Sequence, residues 1–248
     1  MRRKQRNKKM NKEHYREDVM RWHVLTREKL IRTGYSDNYD PKWGRFKPSQ
    51  RFNVDQSPLP FVIDKTRTYE KVPEKGLSKQ HKVWISQPMA GLDKRQCSLQ
   101  VVVRPEGLQP KLGIIFRGKG NIREEERACY HENVDVYFQA KAWADTAVSV
   151  DWVKKTLSKV VDKEDCFVLF LDNLTAQCSD EFKEAVASQG GIVWYFPVNT
   201  IDITQTLDSG YTQTLKNKIC QAQERWFEDE ENANKWFSNE SKFSARKM

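Results

Sequence analysis

Three aspartates stand where a folded chain could use them together. Asp55 closes the run FNVD, Asp172 follows the most apolar run of the chain in VLFLDN, and Asp208 lies in QTLDSGY at the head of a long helical pattern. In a sheet with helices packed on it, ligands gather where strand ends meet loops. If the strands ending at Asp55 and Asp172 are neighbours, both carboxylates emerge at one edge, and Asp208 leans over it from the start of its helix. Crowded carboxylates repel unless cations neutralise them, and hard oxygen ligands suit Mg2+ or Mn2+. Two such ions about 3.5–4 Å apart can activate a water or a 3′-hydroxyl and stabilise the oxygen that departs. Each aspartate also has an ordinary explanation. Asp after a strand often starts a turn, as Asp172-Asn173 would, and Asp208 would serve as a plain helix cap.

Other chemistries find less support. His14, His23, His81 and His131 form no close cluster, and no Ser or Cys nucleophile arrangement or dinucleotide fingerprint is present. Cys97, Cys129, Cys166, Cys178 and Cys220 are scattered singly, without metal-ligand spacing, which fits reduced thiols rather than a disulfide framework or structural zinc. No run reaches the roughly 18 apolar residues of a membrane span, and the basic start is not followed by a signal-peptide core. A soluble, intracellular protein is expected.

The elements that must position the aspartates follow from periodicity. Residues 13–33 place Tyr15, Val19, Trp22, Leu25, Leu30 and Ile31 near helical spacing. From about residue 51 the pattern turns to strands: RFNVDQ, VWIS, CSLQVVV, KLGIIF and the short VDVYFQ. A helix is expected to open at Asp151. CFVLFL reads as a central strand buried on both faces, DEFKEAVASQG as a helix ending near Gly190, and GIVWYF as a further buried strand. The stretch after Ser209 is mostly helical. Early antiparallel strands followed by strand–helix alternation predict an α/β fold, a mixed five-stranded sheet with helices on both faces. Charge is divided unevenly: residues 1–51 hold 16 Lys and Arg against 6 Asp and Glu, while the rest of the 248 residues is near neutral. The opening MRRKQRNKKMNK reads as a solvated arm, suited to solubility, a nuclear address or phosphate contact. Three units are expected: 1–50 as basic arm, helix and connector, 51–228 as the catalytic domain, and 229–248 as a tail.

In this order, FNVDQSPLPF, GLDKRQCSLQVVVRPEG, KLGIIFRGKG, FQAKAWADT, VLFLDNLTAQ and PVNTIDITQTLDSGYTQTLK resemble the DDE superfamily endonuclease domain. They are most similar to its pogo, Tigger, jerky and centromere-protein-B-like branch of mariner-type transposases. The resemblance runs from about Phe52 to Trp226. It implies a ribonuclease-H-like fold, two Mg2+ or Mn2+ ions as cofactors, and metal-dependent cleavage and transfer of DNA strands. On the family's pattern the first acid falls on Asp55, the second on Asp172 and the third on Asp208, with Asp202 a weaker alternative for the third metal ligand. Three departures stand out. Gln56 replaces the usual acid after the first aspartate, Gln177 or its neighbours stand where a histidine is common, and Thr206 replaces a proline.

Lys94 and Arg95, and Arg117 and Lys119 between glycines, are the DNA-binding candidates the resemblance suggests. Their plainer reading is as cations at turns. Trp143 and Trp152 lie in a tryptophan-containing segment of the family, and core filling is the expected role of both. Asn173 would orient a metal ligand. Only about 50 residues precede Asp55, too few for the two helix-turn-helix modules that this branch normally carries. The expected setting is the nucleus, with DNA as partner, a possible homodimer and no membrane association. A domesticated relative that binds DNA or chromatin without cleaving it, and a nuclease acting on RNA or RNA–DNA hybrids, are the competing readings.

Overall fold

The computed structural model describes residues 12–31, 42–60, 67–71, 82–86, 96–120, 122–198, 200, 204, 205 and 207–232. Mostly buried or half-buried positions mark β1 (Arg51–Pro60), β4 (Gln96–Val103) and β5 (Leu112–Arg117), and β4 is buried on both faces from Cys97 to Val102. They join β6 (Val134–Gln139), β7 (Phe167–Leu171) and β8 (Gly191–Tyr195) in one sheet of order β6-β5-β4-β1-β7-β8. β4 runs antiparallel to both its neighbours, and the β1–β7, β7–β8 and β5–β6 pairs are parallel. The mixed α/β sheet is as expected, with six strands instead of five. VDVYFQ supplies the sixth, paired along the whole of β5. Most of its positions are half-buried, so its alternation is weak in the sequence. The expected strand VWIS lies in β3 (Lys82–Ser86), which pairs with β2 (Arg67–Lys71) in a separate two-stranded sheet.

The two faces of the large sheet are covered by different helices. On one face Phe52, Val54, Val102, Ile115, Tyr137, Phe167, Leu169 and Leu171 pack with Val148, Trp152 and Val153 of α3 (Thr146–Lys155) and Phe182, Ala185 and Val186 of α4 (Asp180–Ala187). α3 starts five residues earlier than expected. The Asp145 carboxylate accepts the Val148 N–H at 2.9 Å and caps the helix before Asp151 is reached. A four-residue helix, α2 (Glu124–Arg127), lies between β5 and β6.

On the opposite face Leu59, Cys97, Leu99, Val101 and Phe116 pack under Leu207 and under Leu215 and Ile219 of α5 (Thr212–Glu228). Farther along that face, Val168 and its neighbours Phe170, Ile192 and Trp194 pack with Leu30 and Phe46. Leu30 belongs to a π-helical turn, Thr26–Ile31, that continues α1 (Lys12–Leu25). The Trp22 indole N–H donates to the Tyr195 carbonyl at 2.8 Å, and its ring lies against Phe170 and Phe196. The N-terminal helix is therefore docked onto the β7–β8 end of the sheet. β8, expected to be a further buried strand, is the edge strand, and all five of its residues are half-buried. Gly191 opens it because a Cβ there would lie 2.3 Å from the Phe167 ring.

Candidate active site

The parallel register of β1 and β7 decides the placement of two aspartates. Phe52 faces Leu169 across the strands and Asn53 faces Phe170. Continued by two residues, that register sets Asp55 beside Asp172, on chains roughly 5 Å apart. Alternation sets the face. Asp55 pairs with Val101, whose side chain lies in the cluster under α5. Leu169 and Leu171 point to the α3 side, so Asp172 points to the other, as Asp55 does. Both aspartates are half-buried. Each is oriented by the next residue: Asp55 Oδ1 accepts the Gln56 N–H at 2.8 Å, and Asp172 Oδ1 accepts the Asn173 N–H at 2.6 Å.

The segment carrying Asp208 is bound to the same part of β1. Asn53 Nδ2 donates to the Phe170 carbonyl at 3.1 Å while its Oδ1 accepts the Leu207 N–H at 3.3 Å. One buried amide thus joins β1, β7 and the π-helical turn Leu207–Tyr211. Buried Gln205 adds a bond from Nε2 to the Val54 carbonyl at 3.1 Å. The Asp208 backbone, next to Leu207, follows these anchors; its side chain and Asp202 lie outside the described residues. Sequence reasoning missed Asn53 and Gln205 as positioning residues. The available signal was an amide inside an otherwise apolar strand, FNV, which burial obliges to find partners.

Asn173 ties the ends of β7 and β8 together, its Nδ2 donating to the Phe196 carbonyl at 2.7 Å. Burial pushes the Tyr195 hydroxyl up to about 12, so it stays protonated and donates to the Gln177 carbonyl at 2.5 Å. This holds the turn Thr175–Gln177 that follows Asp172.

A family model described as the DDE superfamily endonuclease matches residues 103–245, more than half of the chain. The chain belongs to this family. The matched span takes in Asp172, Asp202 and Asp208 and begins after β1, so it does not reach Asp55. Among solved structures of similar fold, the Mos1 mariner paired end complex with Mn gives a TM-score of 0.54 at 11% identity, covering 100% of this chain and 61% of that one. The Mos1 transposase paired-end complex with left transposon end gives 0.52 at 10% identity, again covering 100% and 61%. The Mos1 strand transfer complex gives 0.53 at 10% identity, covering 97% and 59%. At such identities the likeness is one of fold, and the mixed sheet of this DDE-family chain is ribonuclease-H-like. The chain spans about 61% of the length of the transposase chain it matches. No curated protein matches its sequence.

The departures from the DDE pattern have distinct settings. Gln56 points to the α3 face, away from Asp55, and its Nε2 donates to Gln100 Oε1 at 3.4 Å. An acid at that position would sit on the wrong side of the sheet to join Asp55. Gln177 is buried in the turn after Asp172, and Thr206 lies outside the described residues. Lys94 and Arg95 also lie outside them. Arg117 and Lys119 are exposed at the far end of β5. The pairings put Asp55 level with Val101, and Ser98 level with Ile115. Arg117 is therefore five residues beyond the Asp55 level, roughly 17 Å along the strand direction, and is not brought to the aspartates.

Among the described residues, no group of three or more His, Cys, Asp or Glu could hold a metal ion. The Asp208 side chain is not one of those residues. The donor chemistry of Asp55 and Asp172 fits a hard divalent cation: two carboxylates on adjacent strands, half-buried, and open to completion by a third acid and water. Among the described residues, no helix is long and apolar enough to cross a membrane.

Proposed function

We propose that this DDE-family domain is a metal-dependent DNA endonuclease that cleaves and transfers DNA strands, with Asp55, Asp172 and Asp208 as ligands for two Mg2+ or Mn2+ ions. The observation that carries the reading is the β1–β7 register, which sets two aspartates from distant parts of the chain side by side on one face. The similar fold of a transposase held with a transposon end, and with Mn in another complex, supports DNA and a divalent ion as the substrate class and cofactor.

When bound, the ions would supply activation of a water or 3′-hydroxyl and charge stabilisation of the departing oxygen. The chain's own residues do the rest. Asp55 and Asp172 hold their carboxylates at fixed angles through the N–H groups of Gln56 and Asn173. Asn53 and Gln205 keep the Asp208 turn against β1. Arg117 and Lys119 neutralise phosphates away from the scissile bond, and Lys94 and Arg95 those of the scissile strand. The basic opening arm adds salt-sensitive affinity and suits a nuclear setting.

Nicking of supercoiled plasmid in Mn2+ tests the proposal. Asp55→Asn and Asp172→Asn should each abolish nicking while the thermal melt stays near that of the wild type. Comparing Asp208→Asn with Asp202→Asn then identifies the third ligand. Equal nicking by wild type and Asp172→Asn removes the assignment. A wild-type chain that binds DNA but neither binds Mn2+ nor nicks would instead be a binding protein descended from a transposase.

A further inference from the structure

We propose that the outer edge of β6 is a docking groove for an extended acidic segment of a partner protein, which joins the sheet as a further strand. The groove lies away from the aspartates, and the proposal stands whether or not the chain cuts DNA. β6 ends the sheet, three strands from β1, so its edge is roughly 14 Å across the sheet from the strand of Asp55.

The register fixes which backbone groups this edge offers. The Asn133 carbonyl accepts the Leu112 N–H at 3.2 Å, and the Gln139 carbonyl accepts the Gly118 N–H at 3.1 Å. Odd-numbered residues of β6 thus turn their backbone groups toward β5. By alternation Val134 and Val136 turn theirs outward. The His131 carbonyl accepts the Val134 N–H at 3.0 Å. Two valine carbonyls and the Val136 N–H remain, without a partner among the described residues. At the opposite edge the outward carbonyl of Tyr195 is met by the Trp22 indole. The β6 edge has no such cover among the described residues, and an open row of this kind is a template for another strand.

The space beside the edge suits one. A groove of about 760 Å³ runs along it, and an apolar cavity of about 380 Å³ under α5 shares Val134 and Val136 with that groove. An added strand sends alternate side chains to the two faces. Those on the α5 face would meet Leu112, Ile219 and Trp226 in the cavity, so apolar side chains belong there.

Charge selects the partner. Asp151 and Lys155 line the α3 side of the groove and neutralise each other at 2.6 Å. Lys111, Lys119 and Arg127 then stand against Glu132 alone, and Glu124 and Glu125 of α2 do not line the groove. Leu112 is level with Val134 and Arg117 with Gln139, so Lys111 flanks one end of the edge and Lys119 the other. The segment that fits is extended, apolar at alternate positions and acidic at both ends. A second copy fits poorly, because antiparallel pairing of β6 with itself sets Lys111 of each chain against Lys119 of the other. DNA phosphates fit poorly too, since they accept hydrogen bonds and cannot donate to the outward carbonyls.

Anisotropy of a fluorescein-labelled octapeptide of alternating glutamate and valine tests the proposal. The wild type should bind it, less tightly as salt rises, and should not bind the same peptide with lysine for glutamate. Val136→Pro removes an outward N–H and leaves the β5 ladder intact. It should weaken binding by roughly tenfold. Two further peptides, methylated on the backbone nitrogens of the valines or of the glutamates, leave the protein untouched, and one of them should lose binding. Hydrogen exchange at the Val136 amide should slow when the parent peptide binds. No binding of the parent peptide overturns the proposal. Binding that survives both methylated peptides and Val136→Pro overturns it as well, leaving attraction by charge alone. Self-association of the wild type that Val136→Pro abolishes gives the edge to a second copy instead. A thymine oligonucleotide that slows exchange at Val136, where the peptide does not, gives it to nucleic acid.

Discussion

Asn53 shows how one amide can set a constellation it does not belong to. Its two bonds reach Phe170 and Leu207, residues 117 and 154 positions away. Leucine at this position would match its size but leave the Leu207 N–H without its buried acceptor. Such an orphaned group costs about 1–3 kcal/mol. Asn53→Leu should therefore lower stability in urea by about that amount, and metal-dependent nicking should fall by more than the unfolded fraction explains. Unchanged urea midpoint and unchanged nicking together would contradict the positioning role. The sequence showed an amide in an apolar strand, but nothing local could show which two backbone groups it would serve.

The element that best separates local from tertiary information is α3 with the loop ahead of it. Trp143 and Trp152 are nine residues apart and look alike to any composition rule, yet one is exposed and the other fully buried. Trp152→Ala removes a large side chain from the cluster shared by α3, α4 and the sheet. It should cost about 3–5 kcal/mol, because the packed surroundings cannot collapse into the space. Trp143→Ala should change stability by less than about 0.5 kcal/mol. Equilibrium denaturation of the two variants side by side checks the contrast; similar losses from both would mean that Trp143 is a packing residue after all. The start of α3 carries the same lesson. Asp145 and Asp151 are both acceptable caps by type, and the bond to the Val148 N–H selects the first.

At the scale of the whole molecule, one sheet face is roofed in two places, by α5 over β4–β5–β6 and by α1 over β7–β8, with the aspartate pair on that face at the β1–β7 junction. Stability should depend on pH at the alkaline end through Cys97, buried on that face, and Tyr195, half-buried on the α3 face. Burial pushes the Cys97 thiol up to about 12 from an ordinary value of 9.0, and the Tyr195 hydroxyl up to about 12 from 10.0. Both are neutral acids whose folded-state pKa is raised. Their contribution is fully present below the unfolded values, and it is lost as pH rises through the folded ones. The melting temperature should thus decline between about pH 9 and 12, and Cys97→Ala should flatten the lower part of that decline. A melting temperature independent of pH in that window would show that neither group is buried as described.

What the sequence determined by itself is what short-range pattern encodes. Apolar runs marked the strands of the mixed sheet, blocks in the right order marked the DDE family, and the division of charge marked the basic arm. It also named Asp55, Asp172 and Asp208 by type and context. Tertiary structure alone decided that Asp55 stands beside Asp172, because strand neighbours and register are chosen by which pairing buries both faces of a sheet, a property of segments more than a hundred residues apart. A shift of one residue between β1 and β7 would have sent one aspartate to the α3 side. The same long-range packing turned Gln56 away from the site, placed β8 at the edge and left Trp143 facing outward, since burial belongs to the assembled layers and not to any single residue's chemistry.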